Sequence, residues 1–368
     1  MNPAIRHKRP GTPGRPPRKA HRGFSLVELM IALTLGLLVM TAAVALFITN
    51  KQVYVTNNGM GQVQDGTRIA FELMARDIRA AGLNGCGDPG RVANVLVNGP
   101  NDSSASPAWW ADIGNAIIGF DGGTTDPAVA TATSSTDSPH RVGTTSSIEL
   151  VGADGLGVSL ASNTPASAKM TLNETSSNLA TGSVVIACDP DHAAIMQLTS
   201  YTSGSPISLT YASGGSTSPG NCSEGLGFPT SCGTTTGNAY QYAANTQIAA
   251  LYAADWYVGY NALGGMSLYR EALQLSSTNV PTPTAQEMVR NVTGMKILYL
   301  TSTGTNFVTA ATIGTSQAAW ATVIAVQLSL TLQSVSQRAA ASPMAGGTGP
   351  IIKTLTTTIN LRNRVNPP

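Results

Sequence analysis

Glu28 stands where a carboxylate is costly. It is the one ionisable residue in the twenty-five-residue apolar run Phe24–Ile48, FSLVELMIALTLGLLVMTAAVALFI. A carboxylate within a membrane span costs roughly 2.5–3.5 kcal/mol on insertion scales and is normally paired and functional. Phe24 precedes it by four residues, one helical turn, and follows Gly23, which ends a basic leader. A cut between Gly23 and Phe24 would create a new α-amino group on Phe24. Glu28 then has an amine to pair with in apolar surroundings, its own or that of a neighbouring copy. Pairing between copies would stagger single helices into register inside a bundle. The plain alternative is a membrane anchor whose acid snorkels to the interface.

The other reactive side chains are few. Cys86, Cys188, Cys222 and Cys232 all follow the apolar run and are expected beyond the membrane, where disulfides form and persist. Four cysteines permit three pairings. In one, Cys222 and Cys232 staple the loop that holds them, and Cys86 ties the end of the helix to the strand ending at Cys188. A zinc site of four thiolates is the alternative, although the spacing lacks CxxC pairs. His140 and His192 are the only histidines after the leader. His140 is expected in solvent. His192, beside Asp189 and Asp191, reads as a polar turn, with calcium there or at Asp121/Asp126 as the alternative. The pair Trp109–Trp110 reads as a core or domain-edge feature rather than a ligand platform, and Gly265-Met266-Ser267 as the start of a hairpin. The sequence contains no HExxH, GxSxG or GxxxxGK(S/T), so neither an enzyme, a metal nor a cofactor is expected.

The elements that carry these residues follow from composition and period. Of 368 residues only 11% are charged and 5% aromatic, against 38 glycines and 21 prolines. This argues against a nucleic-acid binder, a coiled coil and a polytopic membrane protein. Residues 1–22 hold seven basic side chains and no acid; the remainder holds fourteen basic and nineteen acidic groups, a net of −5. The basic flank places the N-terminus in the cytoplasm and the body outside. The run 24–48 is long enough to cross a hydrocarbon core of ~30 Å. Its length and its carboxylate argue against a secretory signal peptide cut near Ala43 and Ala45.

Val53, Met60, Val63, Ala70, Met74, Ile78 and Ala81 form one apolar stripe beyond the membrane. Arg68, Glu72 and Arg76 mark another face. Gly59, Gly61 and Gly66 predict a pliable zone, and Gly82 and Gly85 around Asn84 predict the stop. The expectation is one long, bent helix over about 24–82, half embedded and half packed on a sheet. Beyond it come short β-rich runs: 148–151, 184–188, 207–211, 256–260, 266–269, 296–300, 321–332 and 351–361. In 321–332 strict alternation predicts one buried face, while Thr284–Val292 is expected to be a short helix. Two stretches, 121–147 and 213–237, read as long surface loops; nineteen of the twenty-five residues in the second are Gly, Ser, Thr or Pro, a composition unable to bury a core. The fold class expected is α+β, a long N-terminal transmembrane and stem helix packed on a C-terminal antiparallel β-sheet domain.

Gly23-Phe24-Ser25-Leu26-Val27-Glu28-Leu29-Met30 before an apolar helix resembles the type III signal of type IV pilins and type II secretion pseudopilins. The resemblance implies cleavage between Gly23 and Phe24 by an inner-membrane prepilin peptidase, N-methylation of Phe24, and assembly through Glu28 into a helical filament. Its leader, at twenty-three residues and Pro-rich, is longer than those of most pilins. Diffuse patterns across 24–363 are similar to minor pilins of the PilW type: Asn84-Gly85-Cys86, Val184–Cys188 before Ala193–Leu198, Trp256–Tyr260 before Ser267–Arg270, Glu287–Val292 before Met295–Tyr299, and Thr357–Asn363. J-type pseudopilins share much of this plan. The implied division is a cleaved leader (1–23), a transmembrane assembly segment (24–50), a periplasmic stem (51–82) and a β-rich, pilin-like domain (83–368) with insertions at about 121–147 and 213–237. The implied partners are the prepilin peptidase, other minor pilins, the major pilin, the inner-membrane assembly platform and a large tip adhesin, with no nucleic acid. The implied role is to prime pilus assembly and support twitching motility and adhesion, from the inner membrane to the cell surface.

Overall fold

The apolar run and the amphipathic stripe after it form a single helix, α1 (Leu26–Ala80). The computed structural model describes residues 23–82, 91–103, 106–214, 217–336 and 349–361. The chain divides into two units, Met1–Tyr54 and Val55–Pro368.

In the first unit the described residues are almost wholly exposed, and Leu, Val, Ile, Met and Phe side chains cover the helix on every side. The segment is long and apolar enough to cross a membrane. Three of its hydroxyls are satisfied within the helix: those of Thr34, Thr41 and Thr49 donate to the carbonyls of Ile31, Leu38 and Ala45 at 2.8–2.9 Å. In hydrocarbon no water would satisfy them.

The second unit opens with the rest of α1, which buries Gly59, Val63, Thr67, Ala70, Met74, Ala75, Asp77 and Ile78. The helix runs unbroken through the glycines. Gly66 serves close packing instead of pliability, since a Cβ there would lie 3.2 Å from Leu332 Cδ2 and 3.6 Å from Val289 Cγ1. Gly82 ends the helix with φ at +74°, a conformation glycine adopts without strain, and its N–H donates to the Val151 carbonyl at 2.9 Å.

The strands are β1 (Val92–Asn94), β2 (Ile117–Phe120), β3 (Ser147–Thr164), β4 (Lys169–Leu172), β5 (Val184–Cys188), β6 (Ala193–Gln197), β7 (Ser200–Thr202), β8 (Ser208–Thr210), β9 (Gln247–Tyr260), β10 (Met266–Leu275), β11 (Pro281–Arg290), β12 (Val292–Thr301), β13 (Val323–Gln333) and β14 (Ile352–Asn360). Two short helices, α2 (Ala310–Ile313) and α3 (Gln317–Ala321), precede β13. Among the described residues eleven strands join in one sheet, ordered β1-β6-β5-β9-β3-β4-β8-β7, with β2 on β3 and β10-β11 on β9; β12-β13-β14 form a second. Among the named strands pairing is antiparallel except for β1 with β6, which is parallel. The α+β arrangement is the expected one. The alternation in β13 also holds, with Val326, Leu328, Leu330 and Leu332 buried and Gln327, Ser329 and Thr331 half-buried between them.

Three expectations are corrected. Residues 284–290 lie in strand β11, paired with β10 across a register shift at Leu268/Tyr269; their helical-looking spacing yields to sheet pairing. The stretch 121–147 is not a surface loop alone, because Asp126, Val129, Arg141 and Val142 are buried and Val142 N–H donates to Val258 O at 2.8 Å. The stretch 213–237 is likewise integrated. Leu226 is buried in a cluster with Tyr211 and Tyr242, and Asn221 exchanges two 2.8 Å hydrogen bonds with the Gln197 backbone. Hydrogen bonds thus hold in place a segment that has few apolar side chains to bury.

Candidate functional site

Gly23, Phe24 and Ser25 are non-helical and exposed, immediately before α1 begins. Among the described residues nothing lies within 4 Å of where a Gly23 Cβ would stand. Ser25 occupies the N-cap position, its Oγ accepting the Glu28 N–H at 3.2 Å. The Ser-x-x-Glu spacing is the signature of a capping box. The Ser25-x-x-Glu28 spacing displays this cap in the sequence, yet the carboxylate draws attention away from it. Glu28 thereby sits in the first turn, where a negative charge complements the helix dipole and where an amine on Phe24 would be one turn away.

The cysteines fall into two groups. Cys222 and Cys232 are joined by a disulfide with Cα atoms 5.1 Å apart. Cys188 is also disulfide-bonded, and Cys86 lies outside the described residues, as do Asn84 and Gly85. His192 is buried and stacks on Tyr240 with ring centroids 3.9 Å apart. Its Nδ1 lies 2.8 Å from Asp191 Oδ2, while Asp189 accepts the Asp191 and His192 N–H groups and the Tyr240 hydroxyl. These groups satisfy one another, which is the behaviour of a polar turn. His140 is exposed. Among the described residues no group of three or more His, Cys, Asp or Glu is placed to hold a metal ion.

Register builds a second charged feature that no local motif announces. Glu149 on β3 stands opposite Asp255 on β9, and Asp255 stands opposite Glu271 on β10. Three carboxyls therefore form one row across the sheet, where like charges directly opposite are destabilising. The covering segment supplies Asp126 and Arg141. Arg141 is spent on carbonyls, donating to Thr124 O at 2.8 Å, Thr145 O at 2.6 Å and Asp121 O at 3.1 Å. Burial, then the neighbouring Asp126, pushes Glu149 up to about 9. Burial likewise raises Asp126, Glu271 and, most strongly, Asp255. Both Asp255 carboxyl oxygens and Glu149 Oε1 are buried without a hydrogen-bond partner.

Compared with known proteins, residues 18–44 match the family model of the prokaryotic N-terminal methylation motif. No curated protein and no solved structure matches the chain. The chain thus carries the prepilin signal of type IV pilins and pseudopilins, over the residues that hold Gly23, Phe24 and Glu28.

Proposed function

We propose that this chain is a minor pilin of the PilW type, matured and inserted into a type IV pilus. One observation carries the reading: Gly23-Phe24 and Glu28 head a helix whose first half is exposed and apolar on all sides, within the matched methylation motif. Such a surface is stable in water only when covered by lipid or by other helices.

Prepilin peptidase removes residues 1–23 at the inner membrane and Phe24 is N-methylated. Residues 24–50 cross the membrane, 51–82 form the periplasmic stem, and 83–368 form the body outside the cytoplasm. During assembly Glu28 pairs with the Phe24 amine of a neighbouring subunit, other minor pilins or the major pilin, over the inner-membrane platform. The subunit primes the filament, supports twitching motility and adhesion, and carries a large adhesin at the tip. Cys86 is the partner of Cys188, tying the stem to β5 once both are in the oxidising compartment. The role is structural and non-enzymatic.

The test is mass spectrometry of the mature N-terminus with detection of the subunit in sheared, purified pili, with and without prepilin peptidase. The expected results are N-methyl-Phe24 as first residue and presence in pili only when the peptidase is present. A mature protein starting near Ala43–Leu46 would show secretion instead. Incorporation into a type II secretion pseudopilus with exclusion from pili would assign a J-type pseudopilin.

A further inference from the structure

A cavity of about 580 Å³ opens beside the carboxyl row, within the usual size range of small-molecule sites, ~300–1,000 Å³. Trp109, Phe120 and Trp320 line it together with Asp112, Asp121 and Glu149, and among the described residues no Lys, Arg or His does. Trp109 and Phe120 are half-buried, so the cavity wall is where their apolar surface remains open. Trp320 is held by its Nε1–H, which donates to Gly314 O at 2.8 Å, and packs edge-on against Tyr299 at 4.9 Å. Asp121 accepts the Ala311 N–H at 2.9 Å and Asp112 the Gly114 N–H at 3.0 Å. Glu149 is only 2% exposed, borders the cavity, and keeps Oε1 without a hydrogen-bond partner.

We propose that this cavity binds a small organic cation, an alkylammonium group held between Trp109, Phe120 and Trp320 with Glu149 as its counter-ion. Aromatic rings attract ammonium groups through their negative faces, most strongly where water is excluded. Asp112 and Asp121 border the cavity and Glu149 joins them on ionising, while among the described residues no Lys, Arg or His lines it. Among the described residues the bordering carboxyls do not form a group placed to hold a metal ion, and the aromatic side chains beside them suit an organic cation instead. The proposal is independent of filament assembly, since every lining residue lies in the second unit.

The chemistry includes one proton. Asp126 on the covering segment and Asp255 on β9 act on Glu149 directly; Arg141, Glu271 on β10 and Tyr299 on β12 act in turn on Asp126, and Asp112 and Asp121 share the cavity lining. Burial keeps its carboxyl protonated up to about pH 9. Binding the cation ionises Glu149, and the proton leaves to buffer, so affinity rises with pH until Glu149 ionises unaided.

The experiment is isothermal titration of the full chain in non-ionic detergent with choline chloride, and with its neutral carbon isostere 3,3-dimethylbutan-1-ol. Expected are saturable choline binding, an isostere at least about tenfold weaker, and a pH 7 enthalpy that varies with buffer ionisation as one released proton requires. Glu149→Gln should weaken choline by about tenfold or more while the protein melts no earlier than wild type. Trp109→Ala, at a half-buried position, should weaken it several-fold as well. Equal binding of the isostere, undiminished binding by folded Glu149→Gln, or no saturable choline binding in the millimolar range would each overturn the assignment.

Discussion

Asp77 on α1 and Trp256 on β9 meet inside the body: Asp77 Oδ2 accepts the Trp256 Nε1–H at 3.0 Å. The same oxygen accepts Arg270 Nε–H at 2.8 Å, with the Asp77 side chain 3% and the Arg270 side chain 14% exposed. Ile148, Trp256 and Arg270 occupy one row across β3, β9 and β10, adjacent to the row of Glu149, Asp255 and Glu271. Successive strand residues point to opposite faces, so α1 docks over the first row while the segment 121–147 covers the second. A single buried carboxylate thus registers the helix against two strands, β9 and β10.

Asp77→Ala should cost roughly 3–5 kcal/mol, the range for breaking a buried ion pair and stranding its partner. Asp77→Asn keeps an acceptor for Trp256 and should cost less. Denaturant melts of the full chain in detergent measure both, and an Asp77→Ala protein as stable as wild type would remove this pair from its supporting role.

Gly119 lies against Tyr299, whose hydroxyl occupies the space an added Cβ would need. Gly119→Ala should destabilise by about 1–3 kcal/mol through overpacking. The Tyr299 hydroxyl is buried without a hydrogen-bond partner, so Tyr299→Phe alone should be nearly neutral. In the Gly119→Ala background Tyr299→Phe should recover part of the loss, and a strictly additive double mutant would refute the contact.

Stability should be greatest at mildly acidic pH. Glu149 titrates at about 9 in the folded chain against 4.5 ordinarily, so the folded state binds the extra proton between these values. Stability is then fully present below about 4.5 and declines as pH rises toward 9. Asp137 acts oppositely: hydrogen bonds from the Thr133 hydroxyl and N–H hold it at about 2 against 3.8, so its contribution is lost as pH falls through that range. Glu149→Gln should flatten the alkaline limb, raising stability at pH 8 by roughly 1–3 kcal/mol. Melting temperatures measured from pH 3 to pH 9 decide this; a wild-type value that climbs between 5 and 8.5 contradicts it.

The Cys222–Cys232 bridge closes a segment of sequence separation 10. By the chain-entropy model, replacing both cysteines with serine should cost roughly 2–3 kcal/mol. Loss should also be local, loosening the contacts of Asn221 and Leu226 first. Hydrogen exchange reads this directly, and uniform protection across the body would argue against it.

At the processing site Gly23→Ala should be partly tolerated, whereas larger residues should block maturation and leave residues 1–23 attached. Glu28→Ala should permit cleavage yet lower incorporation into filaments by about tenfold or more. Mass spectrometry and immunoblots of sheared pili separate the two steps; normal amounts of the Glu28→Ala subunit in wild-type pili would end the pairing account.

Some features were legible because they are local. The helix α1 announces itself by a run of apolar residues and then a stripe at helical spacing, both properties of a chain segment in isolation. Gly23, Phe24 and Glu28 are spaced within one turn, so neighbours in sequence are neighbours in space. Strand β13 shows its buried face by alternation, and β5 its full burial by an unbroken apolar run.

Other features depend on residues that the chain brings together from afar. Ala285, Met288 and Val289 carry helical spacing, but β10 offers hydrogen bonds along the whole segment, and β11 forms instead. Glu149, Asp255 and Glu271 look like isolated surface acids in the sequence; register alone aligns them, and the covering segment with Arg141 alone buries them. Asp77 meets Trp256 across 179 positions. Propensity and period act over one or two turns, whereas pairing partners, burial and the electrostatics that burial creates belong to the packed chain. The sequence by itself thus determined the long apolar helix and the prepilin signal at its head, and only tertiary packing decided the carboxyl row and its neighbouring cavity.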